Sequence, residues 1–433
     1  MRTPAQPEQL VVDWLEGNLG PVVHIEQQPR WRPVWFADVE RDGDVLELCV
    51  RGDRHDFPGI FPLEHEMLCQ RLLHEREIPV PAVYGWIEEP RAFVTDRIPG
   101  RAHFEDGDDR GAVVEDYLGI LARLHDLDVA PFEAAGVRRH GMQAYIDHYR
   151  TTKQRPDPFL EFCLGWLDRH PLEPATRESM VVWDSGQFHH DGQRILAVLD
   201  VELAHIGDPL MDLAAWRMRD TVVGYGDFAD LYARYEQLSG RMVDLAAVEH
   251  HHIAFTLSNR LAFHAALANP PPGSDYMTNL QWCGETDLFA VEAIADAAGV
   301  DLAPVELPEV EITPASAAHA HLVRQLAALP VAERFAEYEK RALFRLTRHL
   351  ARFDEAGHTF TEADLDDLVP LLGRRPATWQ EGDAALEACV LADAGEHDRD
   401  IIALFHRRLW RAHQLMGPPG SAMTTHRPIQ RFH

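Results

Sequence analysis

LDVELAHIGDPLMDLA, residues 199–214, decides the fold. It carries the end of a short apolar strand, ILAVL at 195–199, then an acidic turn with Asp200 and Glu202, then an amphipathic helix near 209–219. Just upstream, VVWDSGQFHH at 181–190 sets a second acidic residue, Asp184, in a polar turn. The two aspartates therefore stand on loops on either side of a short hairpin. Transfer of a phosphoryl group to a hydroxyl asks for little covalent chemistry from a protein. It needs one carboxylate to orient the nucleophile and accept its proton, and others to hold the ions bridging the phosphates. Two loop-borne carboxylates so placed could meet that need.

Residues 34–51 alternate as two strands, VWFADVE and VLELCVR, around the turn RDGD, and Asp-Gly at such a centre predicts a hairpin. PLEHEMLCQRLLHE at 62–75 has helical spacing, and IPVPAVYGWIEEPRAFVTDRIPG at 78–100 predicts two further strands joined at Glu-Glu-Pro. The order strand–strand–helix–strand–strand is a small α+β unit. From about 105 the chain turns helical, with apolar faces at 113–124, 158–169 and 245–268, the last ended by PPPG at 270–273. The Pro- and acid-rich stretch 300–316 reads as a linker, followed by four or five amphipathic helices to about 416 and a flexible tail. No internal repeat is evident.

Composition narrows the function classes. Apolar residues at 46% and charged residues at 26% are those of a soluble globular protein. A net charge of −29 repels phosphate backbones and anionic lipid, so neither nucleic acid nor membrane is expected as a partner. A nucleotide site remains compatible with that charge, because a divalent ion and a few arginines mask the phosphates locally. The five cysteines, Cys49, Cys69, Cys163, Cys283 and Cys389, form no CxxC pair or zinc spacing and read as reduced core thiols. MRTPAQPEQL lacks a charged region followed by an apolar one, and no apolar run is long enough to span a bilayer, so a cytoplasmic protein is expected. HExxH, GxSxG, Walker A and GxGxxG motifs are absent, leaving zinc protease, α/β-hydrolase, P-loop and Rossmann readings without support. His250, His251 and His252 lie on a helix, where adjacent side chains point apart; they are expected to be solvated or partner-facing.

LDVELAHIGDPLMDLA resembles the metal-binding segment of the aminoglycoside phosphotransferase and choline kinase-like family, which commonly reads Asp-Trp-Glu, then Gly-Asp-Pro, then Asp-Leu-Ala. GILARLH at 119–125 and the stretch 78–100 also resemble that family's helix and hinge region, and the likeness covers roughly residues 30–290. It implies an α+β, two-lobed protein-kinase-like fold, with a small β-rich lobe over 1–100, a helical lobe over 101–304, an appended all-α domain over 305–416 and a tail over 417–433. It also implies an ATP- and magnesium-dependent phosphotransferase acting on a hydroxyl of a small molecule.

Carried over by position, Asp184 is the catalytic-loop carboxylate and Asp200 the metal carboxylate. Arg51 takes the place of the phosphate-binding Lys or Arg, with Glu66 or Glu64 as its ion-pair partner. Backbone groups of Thr95, Asp96, Arg97 and Ile98 are expected to meet the adenine. Asp208 and Asp212 are expected to be structural, capping and bracing the following helix, and Trp183 to be a packing residue. The family's loop usually reads His-Gly-Asp, four residues, then Asn. Here Val182 and Trp183 replace His-Gly. Either the loop is two residues short and Gln187 stands for the Asn, or His189 does, and both are weaker magnesium ligands than Asn or Asp. QQPRWRPVW offers Arg30 and Arg32 where a glycine-rich phosphate loop is usual. The altered loop keeps a second expectation open, a catalytically impaired nucleotide- or metabolite-binding pseudokinase with a helical partner-binding domain. The C-terminal helices are in addition a candidate homo-oligomer surface.

Overall fold

The structure, a computed structural model, describes residues 7–54, 59–139, 141–173, 175, 177–310 and 312–432. The chain folds as two compact units, one from 1–144, 174–248 and 429–433, the other from 145–173 and 249–428. This cut differs from the four-part division expected at 100, 304 and 416.

The chain opens with α1 (Pro7–Asn18), β1 (Val22–Gln27), β2 (Val34–Arg41), β3 (Asp44–Gly52), α2 (Leu63–His74), β4 (Val83–Ile87) and β5 (Ala92–Asp96). The strands form one antiparallel sheet in the order β1-β2-β3-β5-β4. The predicted hairpin pairs Val34 with Arg51 and Arg41 with Asp44. Asp42 and Gly43 at its tip both take positive φ (55° and 88°), as a tight two-residue hairpin turn requires. Alternation sends Trp35, Ala37 and Val39 to one face, where they bury with Leu48, Val50, Ile87 and Val94 against Val11 and Leu15 of α1.

α3 (Arg110–Asp126), α4 (Ala130–Ala134), α5 (Gly141–Thr152) and α6 (Pro158–Arg169) follow, then four short strands: β6 (Ser179–Val181), β7 (Phe188–His190), β8 (Ile195–Val198) and β9 (His205–Gly207). β6 pairs with β9 and β7 with β8. The β6–β7 loop, with Asp184, and the β8–β9 loop, with Asp200, therefore both run from one two-stranded ribbon to the other. α7 (Leu210–Val223), α8 (Phe228–Ser239) and α9 (Leu245–Ala268) come next. Beneath the ribbons, Tyr117, Leu121 and Leu124 of α3 join Met180, Phe188, Val198, Leu213, Trp216 and Tyr235 in one buried cluster.

The second unit is helical. It contains most of α9 and α10 (Tyr276–Ala297), α11 (Ser316–Ala328), α12 (Arg334–Asp367), α13 (Val369–Leu372), α14 (Trp379–Ala392) and α15 (Asp398–Gln414). Inside it Asp157 accepts from Arg260 Nε at 2.9 Å and His264 Nδ1 at 3.1 Å, and Arg260 Nη1 reaches Asp287 at 2.8 Å. The described residues of 301–313, within the expected linker, carry no helix or strand. His252 is 1% exposed, so the expectation of a solvated triple-histidine stretch fails at that position, on the inward face of α9. The segment expected to be a flexible tail carries specific contacts: His426 reaches Glu292 at 2.9 Å, and Gln430 accepts from the Phe228 amide and donates to Asp220. Those anchors are single side chains in a Gly- and Pro-rich context, without periodicity to reveal them. No helix among the described residues is long and apolar enough to cross a membrane.

One buried group organises the β6–β7 loop. Asp212, on the first turn of α7, is fully buried and accepts from the Trp183 amide at 2.7 Å, the Val182 amide at 3.1 Å and His125 Nε2 at 3.0 Å. The other ring nitrogen of His125 meets the Tyr235 hydroxyl at 2.7 Å. Trp183, also fully buried, is held at φ 60°, a region a bulky side chain enters only when its surroundings impose it. An asparagine offers one acceptor oxygen where three donors now converge, leaving a buried donor unmet. Asp212→Asn should therefore lower unfolding free energy by about 2–4 kcal/mol. Urea unfolding monitored by tryptophan fluorescence checks this, and a loss of only a few tenths would remove Asp212 as the organiser of the loop.

Candidate active site

Arg51 leaves β3 at its end and lies among acids from two other segments. Its Nε stands 2.6 Å from Glu66 Oε1 on α2, and its Nη2 donates to Asp200 Oδ1 at 2.6 Å and Glu202 Oε2 at 3.3 Å. Arg32, from the β1–β2 loop, adds a second guanidinium between Glu66 (3.4 Å) and Glu202 (3.2 Å). The expected Arg51–Glu66 pair is present. Glu64 instead pairs with Arg91 at 2.7 Å on the surface. Residues 62–75 predicted a helix, and Glu66 is on its buried side because Leu63, Cys69, Leu72 and Leu73 face the core.

Asp200 takes φ 59°, the left-handed region, at the turn between β8 and β9. Its Oδ2 lies 3.3 Å from the Gln187 amide nitrogen, which also donates to Asp184 Oδ2 at 2.7 Å. The two carboxylates thus converge on one small polar group. Asp184 Oδ1 accepts from Arg219 Nη2 on α7. Only Ser185 and Gly186 separate Asp184 from Gln187, and both are fixed from below. The Tyr117 hydroxyl lies 2.7 Å from Ser185 Oγ and accepts from the Gly186 amide at 2.6 Å, while the Tyr225 hydroxyl donates to the Gly186 carbonyl at 2.7 Å. Gly186 has φ 91°, and a Cβ there would come within 2.8 Å of Trp216.

The charges set distinct protonation behaviour. Burial acts to raise the Asp200 carboxyl, but Arg51, Arg32 and Arg219 outweigh it and hold the group below its ordinary range. Burial raises Asp184 and the Asp200 charge adds to the rise, with Arg219 and the Gln187 hydrogen bond opposing. Glu202 is pushed up to about 7 by burial and then by Asp200, against Arg32 and Arg51. A carboxyl raised toward neutrality beside one kept ionised can take up a proton at working pH.

The remaining expected residues are elsewhere. His189 Nδ1 lies 3.1 Å from the carbonyl oxygens of Ile98 and Pro99 rather than beside Asp200, so of the two candidates Gln187 is the one at the site. The amides of Asp96 and Arg97 are bonded to the carbonyls of Ala82 and Glu47, and the Thr95 hydroxyl points to backbone oxygens of Cys49 and Asp96. Arg97 itself pairs with Asp38 and Glu47. Thr95, Asp96 and Arg97 are thus tied to the sheet, Ile98 meets His189 through its carbonyl, and these contacts bring none of the four to the two carboxylates. Asp208 caps the Leu210 amide at 2.9 Å as expected of a structural residue. Asp212 is structural too, though it braces the loop before it rather than its own helix. Arg219 was missed. The signal was there, since it follows Asp212 by two helical turns and shares its face of α7.

The folded-state pKa of Glu202 lies above its ordinary 4.5, so ionising it opposes folding as pH rises from about 4.5 to about 7. Glu202→Gln keeps an acceptor oxygen and removes that charge. The stability of the variant relative to the native chain should grow from pH 5 to pH 8. Paired thermal melts read this directly, and a difference independent of pH would contradict the raised carboxyl.

The family model described as the phosphotransferase enzyme family matches residues 33–249. Acyl-CoA dehydrogenase family member 10 of Mus musculus is 25% identical over 240 residues, 49% of this chain and 22% of that protein, so the chain spans less than a quarter of that relative's length. Among solved structures, a thermostable mutant of an aminoglycoside phosphotransferase in apo form has a TM-score of 0.47 at 16% identity, covering 67% of this chain and 100% of the other. Choline kinase from Streptococcus pneumoniae has a TM-score of 0.47 at 14% identity, covering 67% and 99%. The family match takes in half of the chain and with it Arg51, Glu66, Asp184, Gln187 and Asp200, so the chain belongs to the phosphotransferase enzyme family.

Proposed function

We propose that the protein is an ATP-dependent phosphotransferase that moves the γ-phosphate to a hydroxyl of a small molecule. The observation that carries this reading is the convergence of Asp184 and Asp200 on the Gln187 amide, beside the Arg51–Glu66 pair. Turning that amide over, a change the heavy-atom positions do not distinguish, presents its oxygen with the two carboxylates. Asp200 and Gln187 would then offer oxygen donors suited to magnesium, which would supply charge neutralisation at the phosphates when bound. Arg51 and Arg32 offer planar guanidiniums to phosphate oxygens, a role their carboxylate partners keep them oriented for. Asp184 orients the acceptor hydroxyl and takes its proton as that oxygen bonds to phosphorus and the bond to ADP breaks. The acidic composition and the free cysteines support a cytoplasmic setting.

A second reading, a nucleotide- or metabolite-binding pseudokinase, draws on a different observation. Both oxygens of Asp184 are engaged, by Arg219 and Gln187, and Arg32 spans Glu66 and Glu202. Two variants separate the readings. Asp200→Asn should abolish the rise in melting temperature that magnesium and ATP produce together. Asp184→Asn should keep that rise and lower phosphorylation by about 100-fold or more, measured across sugars, amino alcohols and hydroxy acids. Binding with no phosphorylated product in the native protein would favour the pseudokinase, and an unchanged thermal shift in Asp200→Asn would remove the metal assignment.

A further inference from the structure

A catalytic loop shortened to Asp184-Ser185-Gly186-Gln187 has few groups with which to hold its own aspartate. The Ser185 hydroxyl, the Gly186 amide and the Gly186 carbonyl are all committed to Tyr117 and Tyr225 beneath the loop. The side chain that reaches Asp184 from outside the loop is Arg219, whose Nη2 donates to Oδ1. It comes from α7, the helix that also fixes the loop backbone through Asp212. The two residues are two turns apart, so one rigid helix face sets both the path of the loop and the aim of its carboxylate. Gly186 allows this arrangement. A Cβ at that position would approach the Arg219 Cδ to 3.2 Å, so a side chain there would crowd the arginine stem. Arg219 Nε is buried and donates to no acceptor among the described residues, and the side-chain hydrogen bond of the guanidinium runs from Nη2 to Asp184.

We infer that Arg219 is the positioning residue for Asp184: it grips Oδ1 and leaves Oδ2, beside Gln187, as the oxygen that faces the acceptor hydroxyl. This inference rests on the phosphotransferase reading above. A guanidinium is suited to the task, because it stays charged at any working pH and donates in a fixed plane, where an ammonium supplies only a point charge. The groups facing Asp184 are then complete in kind: a cation on Oδ1, an amide on Oδ2 and the neighbouring Asp200 charge. α7 supplies from a distance what the missing residues of the loop do not.

The test compares Arg219→Met, Arg219→Lys and Arg219→Ala with the native protein. Phosphotransfer is followed over the acceptor panel and, without acceptor, as ADP release from ATP. Arg219→Met should lower kcat by about 100-fold with KM for ATP unchanged within about twofold, and the thermal shift with magnesium and ATP should persist, as expected of an effect on the reacting group alone. Arg219→Lys should recover part of the rate, and guanidinium ion should restore activity in Arg219→Ala. Because Arg219 acts through Asp184, adding Arg219→Met to Asp184→Asn should cost no further rate. A native-like kcat in Arg219→Met, or additive losses in the double variant, would overturn the inference while leaving the phosphotransferase reading intact. A native protein that releases no ADP and phosphorylates nothing would overturn both, and the thermal shift would still report nucleotide binding separately.

Discussion

Everything at the candidate site hangs on a carboxylate that takes no part in the chemistry. Asp212 sits at the start of α7 with no exposed surface and gathers donors from the β6–β7 loop and from α3. A buried carboxylate without partners is severely unfavourable, and one with three charge-compatible donors is a rigid junction. It is this junction that makes the left-handed Trp183 tolerable and so presents Asp184 to the Asp200 loop. Without it the short loop would relax toward ordinary extended backbone, and no amount of correct side-chain chemistry would bring the two aspartates together.

The second constraint is electrostatic. Arg51 links the sheet, α2 and the Asp200 loop through three acids, and Arg32 doubles the link. Partly buried ion pairs of this kind contribute little net stability, since desolvation offsets most of the attraction. Their arrangement makes sense as preorganisation: arginines already stripped of water and held in place lose less on meeting an anion. The cost is visible in Glu202, which shares its cations with Asp200 and is pushed toward the neutral form.

Much of this was legible in the sequence where the cause is local. The Asp-Gly turn predicts the β2–β3 pairing, apolar spacing predicts α2, α3 and α9, and the 199–214 motif predicts where Asp200 lies. The partner of Arg51 was placed by resemblance, as Glu66 or Glu64, and the structure pairs Arg51 with Glu66. What the sequence left open depends on tertiary direction. Gln187 and His189 are two residues apart on adjoining loop and strand, and the path of the chain between them turns one toward Asp200 and the other toward the Ile98 carbonyl. Spacing arguments could not choose, because the loop length itself was the unknown. The hinge residues Thr95 to Ile98 were placed by resemblance alone, and in the structure the Asp96 and Arg97 amides meet the carbonyls of Ala82 and Glu47. Arg219 was within reach of helical periodicity, but nothing marked that face of α7 as facing a loop upstream.

The contacts of Gln430 and Phe432 support the site from far along the chain. Gln430 holds Asp220, Asp220 accepts from the Tyr225 amide, and the Tyr225 hydroxyl holds Gly186. Phe432 packs on Tyr232 and beneath Arg217 in the same region. Gln430 reaches Asp220 across 210 residues of chain, so the support beneath Gly186 includes a contact of long sequence range that no local pattern near Asp184 specifies.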